Sequence, residues 1–418
     1  MKMPAGPGHS KKHWCRDLMG IRKRHLPPEF CSPLVPCNLP VHRCPVARED
    51  ASHRILIMRT GAFGDILMGT PLLAALREAY PNAHLTWLAE HTEVQAIDSN
   101  PYIDEFIRWD GSYWKKMLRS GLYPFWLARA LSFRKALRAK NYNIFVSFQP
   151  EEWPLLVEAI QPKVSIGIFD TFRQFNKDKS TSRNVAAYTH SFTEADLPLH
   201  RSDQYLLPLR VLRIPDPANK RMQMGFTTED ARMVKDFLQA QGVSESQTLV
   251  ILAPMTTWQS RCWPAERYAQ LGSQLTIHYG CAIAVIGSAH PKEQEAIAKI
   301  IARMPGKTLN AAGVLTFRQM SALVARASVL VSGDTGPMHV AAAVGTPAVS
   351  LFGPTPVDGR APLVRYGRIL FHTVPCGPCD QKICPNRGAD HMLCMNLITV
   401  EEVVAAISKV VNRPSSAV

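Results

Sequence analysis

The chain lacks any uninterrupted run of 18 apolar residues, and its first 30 residues hold no apolar core of the kind a secretion signal carries. The expectation is therefore no transmembrane helix and a cytoplasmic protein, one that touches a membrane only from that side. No Asp-x-Asp pair occurs anywhere, which argues against a site where paired carboxylates bridge a metal to a phosphorylated ligand. There is no low-complexity tract and no solenoid period. Acidic residues are in deficit, 34 against 48 Lys and Arg, so the net charge is +14. That excess predicts acidic partners such as nucleotides, phosphorylated lipids or anionic membranes. It is spread through the body of the chain without a recognisable nucleic-acid motif, so nucleic acid is not expected.

What is present fits two globular α/β domains. At 418 residues, 46% hydrophobic and 20% charged, the chain can fill two full cores. Residues 1–50 read as a basic, proline-rich, disordered extension. Its Cys15, Cys31, Cys37 and Cys44 show no paired metal-ligand spacing. Apolar, β-branched runs predict strands at 54–59, 85–89, 144–147, 164–168, 248–253, 282–286 and 327–331. Helical periodicity predicts helices at 66–80, 127–140, 265–278, 292–302, 317–326 and 400–411. Strand and helix alternate, which implies parallel sheets of βαβ units. The proline-rich stretch 196–225 reads as the linker, giving a first domain over 51–220 and a second over 221–418.

Three segments carry chemistry. Thr60, Gly61, Gly64 and Asp65 form a glycine turn after the first strand, where open α/β sheets place ligands. Asp65 there suits a base that takes a proton from an attacking hydroxyl, or else simply caps a helix. The turn matches neither the P-loop nor the dinucleotide fingerprint. Thr256, Thr257 and Arg261 follow the 248–253 strand and offer two hydroxyls and a guanidinium to a diphosphate. Asp334, Thr335, Gly336 and His339 follow a third strand, where Thr335 or Gly336 can cap a helix that Pro337 begins. A helix N-terminus there favours phosphate through its free N–H groups and its dipole.

A fourth cluster, Cys376-x2-Cys379-x4-Cys384-x9-Cys394, admits structural zinc or reduced packing thiols. Cys262 and Cys281 read as small apolar core residues.

The run Arg59-Thr-Gly-Ala-Phe-Gly-Asp-Ile-Leu-Met-Gly-Thr-Pro71 resembles the opening motif of the ADP-heptose:lipopolysaccharide heptosyltransferases, glycosyltransferase family 9. Asp334-Thr-Gly-Pro-Met-His339, with Phe352-Gly-Pro-Thr355, is similar to that family's second signature. The resemblance covers about 52–412. It implies a GT-B architecture, two Rossmann-like doubly wound domains across a cleft, and transfer of a heptose from ADP-heptose to a lipopolysaccharide core with inversion. It implies Asp65 as base and Thr256, Thr257, Arg261, Asp334, Thr335, Gly336 and His339 on the donor. It implies no required cofactor, with a peripheral contact on the inner face of the inner membrane.

Arg261 replaces a Lys found in some members, and Trp258 stands where a polar residue is common, which leaves the nucleobase and sugar preference open. The alternatives are a transferase of the same fold using another nucleotide sugar, and a non-catalytic nucleotide-sugar-binding protein. A further alternative makes the basic extension and cysteines a nucleic-acid or metal module.

Overall fold

The computed structural model describes residues 53–150, 154–169, 185–193, 196–306, 308–364 and 366–411. The extension 1–50 and its four cysteines lie outside the described residues.

Among the described residues, twelve strands form two six-stranded sheets, β3-β2-β1-β4-β5-β6 and β12-β11-β10-β7-β8-β9. The first holds β1 (Arg54–Met58), β2 (His84–Glu90), β3 (Glu105–Trp109), β4 (Ile144–Ser147), β5 (Val164–Ile168) and β6 (His190–Phe192). The second holds β7 (Leu249–Ala253), β8 (Ala282–Val285), β9 (Thr308–Asn310), β10 (Val329–Gly333), β11 (Ala348–Phe352) and β12 (Gly367–Phe371). Every pairing is parallel. Helices therefore cover both faces, and the central strands read as unbroken Val, Ile and Leu runs such as Leu249–Ala253, buried throughout.

The second sheet repeats the winding of the first, with β7, β8 and β9 in place of β1, β2 and β3. Strand order reverses between β1 and β4 and again between β7 and β10. Ligands of doubly wound sheets bind outside the carboxyl ends of the strands at such points.

The local departures from the sequence reading have physical causes. The helix expected over 66–80 is two, α1 (Phe63–Met68) and α2 (Thr70–Ala79). Pro71 has no N–H for the carbonyl of Leu67, and the Thr70 hydroxyl donates to that carbonyl instead at 2.7 Å. The strand expected at 327–331 lies two residues later. Ala327 caps the Phe317–Arg326 helix, and Ser332 and Gly333 pair with Ser350 and Leu351 inside the sheet. The sequence reading omits five strands: β3, β6, β9 and β12 are sheet edges that are short or carry polar residues, whereas β11 is a buried interior strand whose run Ala-Val-Ser-Leu-Phe is broken by Ser350.

The expected linker 196–225 is in part core. Short helices Arg201–Gln204 and Leu207–Val211 bury Leu206, Leu207 and Leu209 against the first sheet.

The halves touch along α1, where Phe63 packs edge-on against Phe317 at 4.9 Å between centroids. No helix among the described residues is long and apolar enough to cross a membrane.

Candidate functional site

The loop after β1 is tied to the loop after β4. Arg59 is buried and donates to the carbonyl of Phe148 at 3.2 Å. The amide and hydroxyl of Thr60 both donate to Gln149 Oε1, at 2.6 and 2.7 Å. Ala62 follows in a left-handed conformation (φ 56°) and caps α1. Asp65 therefore sits inside the first turn of α1 and is not its cap, which removes the capping role that the sequence left open for it.

Its carboxylate is ion-paired with Arg59 and lies 3.8 Å from Arg201 Nε. The side chain is 18% exposed. Burial pushes its pKa up, but Arg59, Arg201 and a hydrogen bond from the Tyr205 hydroxyl outweigh it. The carboxyl is held well below the usual carboxylate range.

Gly64 marks a close approach between the halves. A Cβ there would lie 2.8 Å from Cδ2 of His339. Gly61 is in open space, with no atom within 4 Å of an added Cβ.

In the second half, the loop after β7 meets the loop after β10. Arg261 Nη1 is 3.2 Å from the Asp334 carboxylate and 3.3 Å from its carbonyl. The guanidinium stacks on Trp258 at 3.7 Å, a cation–π geometry. Asp334 is buried and also accepts from the Thr355 hydroxyl at 2.8 Å. Both contacts fall on the same oxygen, Oδ2, which holds Arg261 in place. A Cβ on Gly333 would fall 2.7 Å from the carbonyl of Arg261, so this glycine lets the two loops meet. Thr256 lies beside Arg261 at Gly333, where an added Cβ would come within 3.1 Å of its Cγ2. The Thr256 hydroxyl donates to the carbonyl of Trp258 at 2.6 Å, and Thr257 faces solvent.

Thr335 caps the Gly336–Val344 helix in an extended conformation without a side-chain hydrogen bond. Its first-turn amides thus keep their positive end for a ligand. A Cβ on Gly336 would reach 1.9 Å from Phe63 Cε2, so α1 lies directly against this helix start. His339 follows one turn in and is 5% exposed. Burial lowers its pKa to about 4, more than Asp334 and Asp65 raise it, so it is neutral at pH 7. His339 Nδ1 and Arg261 Nε are buried without a hydrogen-bond partner. Two orphaned polar atoms beside a free helix N-terminus are the signature of an anion site.

The four late cysteines line one small cavity, whose wall also includes Ser260, Val374 and Met392. Their loop is joined to the Arg261 loop, because Ser260 donates to the carbonyl of Lys382 at 3.2 Å. Among the described residues the ligand atoms that gather within 4.8 Å are those of Glu90, His91 and Asp110, and the thiols form no such set. Burial and the neighbouring thiols raise the Cys394 pKa, which keeps that thiol protonated at neutral pH.

Arg201 and Tyr205 escaped the sequence reading. They lie 136 and 140 positions from Asp65, in a stretch whose prolines suggested a linker. Arg360, paired with Asp380 at 2.9 and 3.2 Å, was also unforeseen.

Two doubly wound units whose switch points face one another, one bearing a carboxylate and the other an anion cradle, define a glycosyltransferase of GT-B architecture. The chain belongs to glycosyltransferase family 9 (heptosyltransferase), whose model matches residues 130–389. It is 28% identical over 299 residues to lipopolysaccharide heptosyltransferase 3 of Escherichia coli, covering 70% of this chain and 81% of that one. The glycosyltransferase family 9 structure from Veillonella parvula superposes with a TM-score of 0.71 at 23% identity, covering 87% of this chain and 99% of that one. The structure of E. coli ADP-heptose lps heptosyltransferase II gives 0.66 at 20% identity, with 86% and 98% covered.

Proposed function

We propose that the chain transfers a heptose from ADP-heptose to a lipopolysaccharide core acceptor, with inversion at the anomeric carbon. The observation that carries this reading is the placement of one ionised carboxylate, Asp65, opposite a separate anion cradle formed by Arg261, the Gly336–Val344 helix start and His339. The names of the relatives supply the sugar and nucleotide.

In this reading the diphosphate lies on the helix N-terminus and Arg261, and neutral His339 offers a ring N–H. The acceptor hydroxyl approaches from the Asp65 side. Its oxygen forms the new bond to the anomeric carbon as the bond to the diphosphate breaks. The hydroxyl proton passes to Asp65, and the negative charge leaves with ADP onto the cradle. Attack from one half and departure toward the other gives a single in-line displacement, hence inversion.

Two guanidiniums make Asp65 a weak base. That suits a transition state in which the leaving bond is largely broken and the proton moves late. Arg201 and Tyr205 orient the carboxylate. The step calls on no cofactor, and Ser260 ties the Arg261 loop to the backbone of the 376–394 loop through the carbonyls of Gln381 and Lys382. Elemental analysis of the purified protein checks whether those thiols carry zinc.

The test is transfer from ADP-heptose to a heptose-deficient core acceptor, with product mass and anomeric configuration read out. A heptosylated product of inverted configuration supports the proposal. Retention, or transfer only from another nucleotide sugar, overturns it.

A further inference from the structure

We infer that the helical hairpin after β3 is a docking surface for an anionic lipid bilayer. The hairpin consists of α3 (Gly111–Arg119) and α4 (Tyr123–Ala139). Its inner side is accounted for by aromatic packing. Trp114 stacks on Trp109 at 4.8 Å, Trp126 meets Trp114 edge-on, and Phe133 and Leu137 complete the contact.

The outer side is not accounted for. Leu137 is the one buried residue of α4. Tyr123, Leu127 and Leu131, spaced as a helical stripe, are 63%, 53% and 54% exposed, and Phe125, on the other flank of the same helix, is 70% exposed. Large aromatic and aliphatic side chains left to water round the outer half of one helix mark a partner.

Charge selects the partner. Between Gly111 and Lys140 the sequence has eight Lys and Arg and no Asp or Glu. Among the described residues only Lys140 of these eight pairs with a carboxylate, Glu105. A second copy would set this unbroken positive field against itself. An acidic phospholipid surface neutralises it and accepts the apolar stripe into the headgroup boundary. Because no described helix can span a membrane, the contact is peripheral.

The hairpin springs from the same rim of the sheet as the Asp65 loop. The Gly111 amide donates to the Glu90 carboxylate at 3.1 Å, and the Glu90 amide donates to the Thr60 carbonyl at 2.8 Å. Docking here sets the open ends of β1 and β3 toward the lipid. This placement deepens the proposed function by specifying an acceptor held in a membrane. Its test needs neither donor nor acceptor, so the two readings can fail separately.

The experiment is co-sedimentation of the full chain with sucrose-loaded vesicles of phosphatidylcholine, with and without phosphatidylglycerol. The probe variant is F125S/L127S/L131S. All three positions are exposed, and the variant retains residues 1–52, so any lipid affinity of that basic segment is common to both proteins. Wild type is expected to bind phosphatidylglycerol vesicles at least about tenfold more tightly than neutral ones. The variant should lose about tenfold or more of that binding, with unchanged melting temperature and ADP affinity. Equal binding to both vesicle types overturns the inference, as does an unaffected variant. A lipid-free oligomer that the variant abolishes would assign the face to a second copy and also overturn it.

Discussion

Replacing His339 with Gln should flatten the acid limb of the stability profile. His339 titrates near 6.5 when unfolded and at about 4 in the fold, because burial disfavours the imidazolium. Between those values the unfolded chain binds the extra proton, so stability rises with pH through this window. His339's contribution is whole above about pH 6.5 and lost as pH falls toward 4. Worked through the two pKa values, it loses about 2.5 kcal/mol between pH 8 and pH 4.5.

Gln fits the same space without titrating, so the variant should lose about that much less over the same interval. Asp65 does not confound the comparison. Its carboxyl is held below the usual range in the fold, so its own contribution is lost only below about pH 4. Urea titrations at pH 8, 6 and 4.5 measure both proteins. Parallel profiles for the two would show that His339 is not held neutral by burial, and the account of the cradle would be wrong.

Asp65→Asn should lower turnover by about 10²- to 10⁴-fold while ADP affinity stays level. With the carboxyl ionised far below neutrality, wild-type kcat/KM should hold steady from pH 8 to about 5; an acid limb near 6 would contradict the Arg59 and Arg201 clamp. Asp334→Ala removes the partner of both Arg261 and Thr355, leaving a buried guanidinium unpaired, and should cost about 3–5 kcal/mol by urea denaturation. An effect under 1 kcal/mol would show that Arg261 is held by other contacts. Gly336→Ala drives a methyl into Phe63 and should destabilise by about 1–3 kcal/mol, with Phe63→Leu in the same chain recovering part; calorimetric melting decides it, and no recovery would place the strain elsewhere.

Much of the fold is legible because parallel strands buried on both faces must be apolar runs. Strands 144–147 and 164–168 emerge from sequence with their observed limits for that reason. Edge strands obey no such demand, and His190–Phe192 or Gly367–Phe371 look like loop. In the site, the glycine turns and the helix start point to Asp65, Asp334 and His339 as their neighbours, since close loop contacts demand glycine at Gly64, Gly333 and Gly336. Arg201 and Tyr205 carry no local signal. They reach Asp65 because two short helices, one capped by His200 and one with Pro208 in its first turn, lay part of 196–225 on the first sheet. Thr256 shows the converse: a hydroxyl in the right loop, already committed to the carbonyl of Trp258.

The most direct measurement is calorimetric titration of ADP-heptose, UDP-sugars and GDP-sugars into wild type and Arg261→Ala. The account predicts selective binding of ADP-heptose, weakened at least about tenfold in the variant, as expected when a charged phosphate contact is lost. Binding that ignores the nucleotide, or that survives in Arg261→Ala, would contradict it.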